Sequence, residues 1–282
     1  MLIANPIYDA VFKYLLEDFD IAKGIISTII GEEIIELEFL PQERSATSEK
    51  HLLTVYRVDF KAVIKTANGT HKKVLIELQK GKQPIDVMRF RRYLGDNYSK
   101  TDELKGQKEA LPIITIYFLG FKLSLKYAVI KIGRNYVNVA NGEVIDGKDD
   151  FAEKLTHDSY IVQIPYLPEQ TQSKVEEILS VFNQTRVLKS EEWILNYKDT
   201  SNDELLRKIV NRLSNAAASE EVQYEIESEE YFEHSLDAWV RKNNEKLFAK
   251  DEVIAEKDKE LAEKEQEIEQ MRLIIEKLSK QK

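Results

Sequence analysis

Between Val55 and Lys80 the sequence twice alternates apolar and polar residues, and this pattern constrains the fold more than any other stretch. A period of two is the signature of a half-buried strand. Tyr56, Val58, Phe60, Ala62 and Ile64 form one apolar face, and Val74, Ile76 and Leu78 form the other strand's. The same period sends Asp59, Glu77 and Gln79 to the opposite faces. Asn68-Gly69 between the segments signals a hairpin. A two-residue Asn68-Gly69 loop would pair Ala67 with Thr70, setting Asp59 across from Leu78 and mixing an acid with the core. Both apolar faces fall on even numbers, so the pattern requires an odd loop or a bulge, with glycine in the left-handed position. Asp59 then lies across from Glu77 or Gln79.

The flanking segments predict an α/β protein. Asn5-Pro6 followed by IYDAVFKYLL reads as an N-cap and an amphipathic helix with Asp9 and Lys13 on one face. A second helix is expected from Asp20 to Ile30, stopped at Gly31, and a first strand from Glu33 to Leu40. A helix opens at Gln83-Pro84 and runs to Leu104. IITIYFLG after Pro112 has the composition of a strand buried on both faces, so a right-handed β-α-β unit is expected. Tyr127–Ile132 and Tyr136–Ala140 read as a hairpin about Gly133-Arg134, and Tyr160–Ile164 as a further strand. Beyond Ser173 only helices are expected, at about 173–185, 190–197, 202–217 and from Glu220 onward.

Charge divides the chain unevenly. From Lys50 to Lys100 there are 12 Lys or Arg against four acids, a balance of +8 that leaves −17 on the rest of a chain of net charge −9. An acidic protein with one basic strip points to a polyanionic ligand. The absence of cysteine removes disulfides, thiolate metal sites and cysteine nucleophiles, and fits a cytoplasmic protein. MLIANPIYDAVFK has no basic stretch before an apolar core, so no signal peptide is expected. No apolar run approaches the roughly 20 residues of a membrane span. His51, His71, His157 and His234 show no ligand spacing, and no GxSxG, Walker A or GxGxxG motif occurs.

Asp59 followed by Glu77-Leu78-Gln79 on the next strand resembles the D…ExQ form of the PD-(D/E)xK nuclease motif. NPIYDAVFKYLL and Arg89-Phe-Arg-Arg-Tyr93 are similar to the Rpn-like recombination-promoting nuclease and transposase-like group of that superfamily, over the first half to two-thirds of the chain. The resemblance implies a restriction-endonuclease-like core, a mixed sheet flanked by helices in the order αβββαβ. It also implies Mg²⁺ (or Mn²⁺) held by Asp59 and Glu77, with Asp9 approaching from its helix, and DNA as substrate. Mg²⁺ takes oxygen ligands, keeps several waters and can generate hydroxide near neutral pH, which phosphodiester hydrolysis requires. The E-x-Q spacing sends Leu78 to the core and puts Glu77 and Gln79 on one face. Most of the superfamily has lysine where Gln79 stands. A glutamine amide can orient water but carries no charge, so Lys61 and Lys80 are candidate substitutes. Arg89, Arg92 and Tyr93 are expected to support the site or touch DNA phosphate, with Arg91, Lys72, Lys73 and Lys82 as further backbone contacts.

The tail beyond Asp251 is rich in Glu and Lys and lacks glycine and proline. Ile254, Leu261, Ile268 and Ile275 recur every seven residues, with Lys257, Lys264, Met271 and Leu278 as companions. A short coiled coil and a homo-oligomer through this helix are expected; a solvated helix held by charge pairs is the alternative. The expected division is a nuclease-like domain at 1–170, a helical region at 171–246 and the charged tail at 247–282. The expected function is a metal-dependent DNA endonuclease acting in recombination, transposition or mobile-element defence. The alternative is a nuclease-fold DNA-binding and assembly protein with weak or no turnover.

Overall fold

The computed structural model describes residues 1–40, 45–46, 55–56, 60–81, 86–104, 106–198 and 201–279. The chain opens with β1 (Leu2–Ala4), α1 (Asp9–Leu16), α2 (Phe19–Ile30) and β2 (Ile34–Phe39), then the two-residue pair β3 (Ser45–Ala46) and β4 (Val55–Tyr56). β5 (Phe60–Thr66), β6 (His71–Gln79) and α3 (Asp86–Tyr98) follow, then the hairpin β7 (Asp102–Leu104) and β8 (Gln107–Glu109), and β9 (Ile113–Leu119). Next come β10 (Val129–Ile132), β11 (Tyr136–Val137), β12 (Val144–Ile145), α4 (Asp150–Leu155) and β13 (His157–Gln163). The remainder is α5 (Lys174–Leu179), β14 (Val187–Leu188), β15 (Glu191–Asn196), α6 (Glu204–Ala217) and α7 (Glu220–Ser279).

The hairpin has the register that the even-numbered apolar positions require. Phe60 lies opposite Ile76 and Ala62 opposite Val74. Thr66 N donates to Thr70 O at 3.0 Å, closing a three-residue turn of Ala67, Asn68 and Gly69. Gly69 takes φ +87°, where a side chain would be strained. This hairpin sits in a six-stranded mixed sheet of order β10-β13-β9-β6-β5-β2. β6, β9 and β13 run parallel. The crossover from β6 to β9 contains α3, as the β-α-β reading expects.

Each face of the sheet is covered by helix. Phe118, on the even face of β9, meets Phe12 of α1 at 5.1 Å between ring centroids and Phe182 at 5.0 Å. All three rings are at most 1% exposed, so aromatic edge contacts add to the area that they bury. The odd face carries α3, where Phe90 packs on Tyr117 of β9 at 4.2 Å. Tyr98 Oη also hydrogen-bonds His157 Nδ1 of β13 at 2.8 Å.

α2 starts one residue before its expected position because the Asp18 carboxylate accepts from Asp20 N and Ile21 N; it ends at Gly31, with φ +72°. Asn5 does not cap α1. Tyr8 holds that position, without a side-chain bond. Asn5 is instead 1% exposed and exchanges amide hydrogen bonds with Gln184, while its Nδ2 also donates to Glu192 O.

Three further expectations are corrected. The segment at 190–197 is strand β15, since Leu2–Ala4 supplies an antiparallel partner. The helix opening near Gln83 ends at Tyr98, and 102–109 form β7–β8. β10 pairs with β13, not with β11, and Arg134 at the expected turn bonds Glu153 and Asp158 instead.

Backbone contacts divide the chain into two compact units, Met1–Glu227 and Ser228–Lys282. The helical region expected from 171 is not separate from the first 170 residues: Ile178, Leu179, Ile209, Val210 and Leu213 belong to one buried core with α1 and the sheet. The second unit is helical throughout its described residues. No helix among the described residues is long and apolar enough to cross a membrane.

Candidate functional site

Glu77 is the central described residue of the candidate site. It lies on the odd face of β6 and is 6% exposed, one of few buried charged side chains among the described residues. A carboxylate is taken from water only at a cost that a cation or hydrogen bonds must offset. β9 sets Tyr117 beside it in parallel register. Burial pushes the Tyr117 hydroxyl well above its usual value; a hydrogen bond involving Thr115 opposes this, and the negative charge of Glu77 adds to it. Tyr117 therefore stays protonated next to a carboxylate. Reading the sequence missed Tyr117, although a tyrosine at an odd position of IITIYFL was a usable signal.

Gln79 shares this face two residues on. Its amide Nε2 donates to Gly81 O at 3.0 Å, and its main-chain carbonyl accepts from Gly120 N at 2.8 Å. At Gly120 the two backbones approach closely: a Cβ there would stand 2.3 Å from Lys80 O. Gly120→Ala is therefore expected to force apart the ends of β6 and β9 that hold Gln79. Overpacking of this kind costs about 1–3 kcal/mol, measurable by urea denaturation; an unchanged midpoint would show that this approach is not needed.

The other expected residues divide between the two faces. Lys61 of β5 pairs with Leu75 of β6 and so shares Glu77's face. Lys80 sends its ammonium over the Tyr8 ring, 4.0 Å from the centroid, which brings the start of α1 to the end of β6. Asp9, the next residue, forms an ion pair with Lys13 one helical turn on. Arg91 and Arg92 are exposed on α3, and Tyr93 is half-buried. Asp59 and Lys82 lie outside the described residues, as does the side chain of Arg89. Among the described residues no group of three or more His, Cys, Asp or Glu side chains is placed to hold a metal ion.

The basic strip is less available than its sequence implies. Lys73 is 1% exposed, with its ammonium 2.6 Å from an Asp102 carboxylate oxygen that is itself nearly buried. Lys72 pairs with Glu32 at 2.6 Å, and Lys65 with Glu36 at 2.8 Å. Lys73 is therefore withdrawn as a phosphate contact, and Lys72 is paired. The reason is topological: acids distant in sequence are brought beside the strip by β2 and the β7–β8 hairpin. No protein-family model, curated protein or solved structure matches the chain.

Proposed function

We propose that the chain is a metal-dependent DNA endonuclease of the PD-(D/E)xK type, Rpn-like in its motif, with a restriction-endonuclease-like core. The observation that carries this reading is a carboxylate, Glu77, 6% exposed on a parallel strand under the crossover helix α3. The larger elements run α1, α2, β2, β5, β6, α3, β9, an order that supports an αβββαβ core with α2 as an added helix. The observed period of two supports placing Asp59 and Glu77 on one face. An oxygen donor set built on those carboxylates suits Mg²⁺ or Mn²⁺. When bound, the ion would neutralise phosphate charge and acidify a water.

In this reading Asp59 and Glu77 hold the metal, Asp9 assists from α1, and Gln79 orients the attacking water. Lys61 shares Glu77's face and is the candidate substitute for the lysine absent at 79, while Lys80 lies over the Tyr8 ring. Arg89, Arg92 and Tyr93 on α3 contact or position the DNA backbone. Gln79→Lys is expected to raise the rate of Mg²⁺-dependent nicking by about 10²-fold, the low end of what a positioned acid–base group contributes. An unchanged rate would show that position 79 does not act on the water.

One observation favours a second reading, a DNA-binding and assembly protein without turnover: the Gln79 amide is already held by Gly81 O. That reading expects salt-dependent DNA binding and no metal-dependent nicking.

We further propose that α7 pairs two copies of the chain. Ile254, Leu261 and Ile268, seven residues apart, are each at least half exposed, and apolar residues at this spacing bury one another in a coiled coil. Leu261→Lys is expected to shift the molar mass measured by light scattering toward the monomer; an unchanged oligomer would remove this role.

A further inference from the structure

Apart from the central sheet, a cleft of about 430 Å³ opens where β14 and β15 meet the turn that precedes them. Glu169, Thr185, Arg186, Asn196 and Lys198 are among its lining residues. The turn is fixed by Asn183, whose Oδ1 accepts from both Thr185 N at 3.0 Å and Thr185 Oγ1 at 2.9 Å. A bulge follows between Val187 and Leu188; bulges are frequent where a strand re-aims a side chain beside a site. The Arg186 guanidinium lies over the Tyr197 ring at 4.6 Å. Tyr197 is 3% exposed, and its hydroxyl is hydrogen-bonded to Ser180 Oγ at 2.9 Å, so this platform is rigid.

Arg186 Nη1 is buried and has no hydrogen-bond partner among the described residues. A guanidinium stays charged at any working pH and is donor-only, and Arg186 lines the cleft. Its planar fork matches the oxygens of a carboxylate or phosphate group. Exposed Lys198 adds a second cation at the cleft, Thr185 and Asn196 add neutral polar groups, and exposed Glu169 sets a limit on negative charge. We propose that this cleft binds a small oxyanion, a phosphate or carboxylate group, with Arg186 as its principal ligand and Lys198 as its second.

The test is thermal melting of the full chain at constant ionic strength, with chloride replaced by inorganic phosphate in one arm and by acetate in the other. Above the dissociation constant, the midpoint is expected to rise roughly 3–5 °C for each tenfold increase in the preferred anion. The arm that responds identifies the group. Arg186→Gln is expected to abolish the rise and Lys198→Ala to weaken it, whereas Glu169→Gln should shift it to lower anion concentration. Lys198 and Glu169 are exposed, so those variants test the site even if Arg186→Gln does not fold. If neither anion exceeds chloride, or if Arg186→Gln responds as the wild type does, the site is not there.

Discussion

Asp102→Ala is expected to lower the stability of the first unit by about 3–5 kcal/mol, the cost of stripping a buried charge of its partner. Lys73 is 1% exposed on β6, and its ammonium lies 2.6 Å from Asp102. With the carboxylate gone, the ammonium remains under the β7–β8 hairpin without its counter-charge. The double replacement Lys73→Met with Asp102→Leu is expected to recover most of the loss, because an apolar pair of similar volume can replace a buried ion pair without penalty. Urea denaturation of wild type, single and double variants checks both statements. A single variant within about 0.5 kcal/mol of wild type, the usual range for surface positions, would mean that Lys73 reaches water and could again serve the basic strip.

Glu77→Gln is expected to reduce Mg²⁺-dependent DNA nicking by about 10³-fold, since a metal supplies several kcal/mol of charge stabilisation and each 1.36 kcal/mol is tenfold in rate. The amide nearly preserves volume, so the change isolates the charge of a side chain that is 6% exposed. Folding is monitored separately by circular dichroism. A folded variant that nicks at the wild-type rate would take Glu77 out of the reaction.

Much of the central sheet was legible because strands announce themselves by a period of two. The apolar even positions of β5 and β6 determined the odd-length turn, and Gly69 takes the left-handed conformation that such a turn uses. β15 was not legible for the opposite reason. Glu-Glu-Trp-Ile-Leu-Asn carries no period of its own, and its partner is the three-residue β1 at the other end of the chain. The expected 127–140 hairpin failed because Val129–Ile132 had a longer strand available in β13.

The candidate site divides along the same line. Glu77 and Gln79 were readable from alternation within one strand, and so was their shared face. Lys72 and Lys73 are indistinguishable as neighbouring lysines, yet one pairs with Glu32 and the other lies buried against Asp102. Only tertiary contacts decide between such fates, and those contacts come from acids 40 and 29 residues away in sequence. Arg186 carried no signal at all: a lone arginine in Gln-Thr-Arg becomes distinctive only when Tyr197 and the end of β15 close around it.

Incubating supercoiled plasmid with the full chain in Mg²⁺ and in EDTA, with Glu77→Ala in parallel, tests the nuclease proposal most directly. Conversion to nicked and linear forms by the wild type in Mg²⁺, absent in EDTA and absent with Glu77→Ala, is the predicted result. Plasmid that stays supercoiled in Mg²⁺ while the protein still binds it, or nicking that survives EDTA and the loss of Glu77, would contradict it.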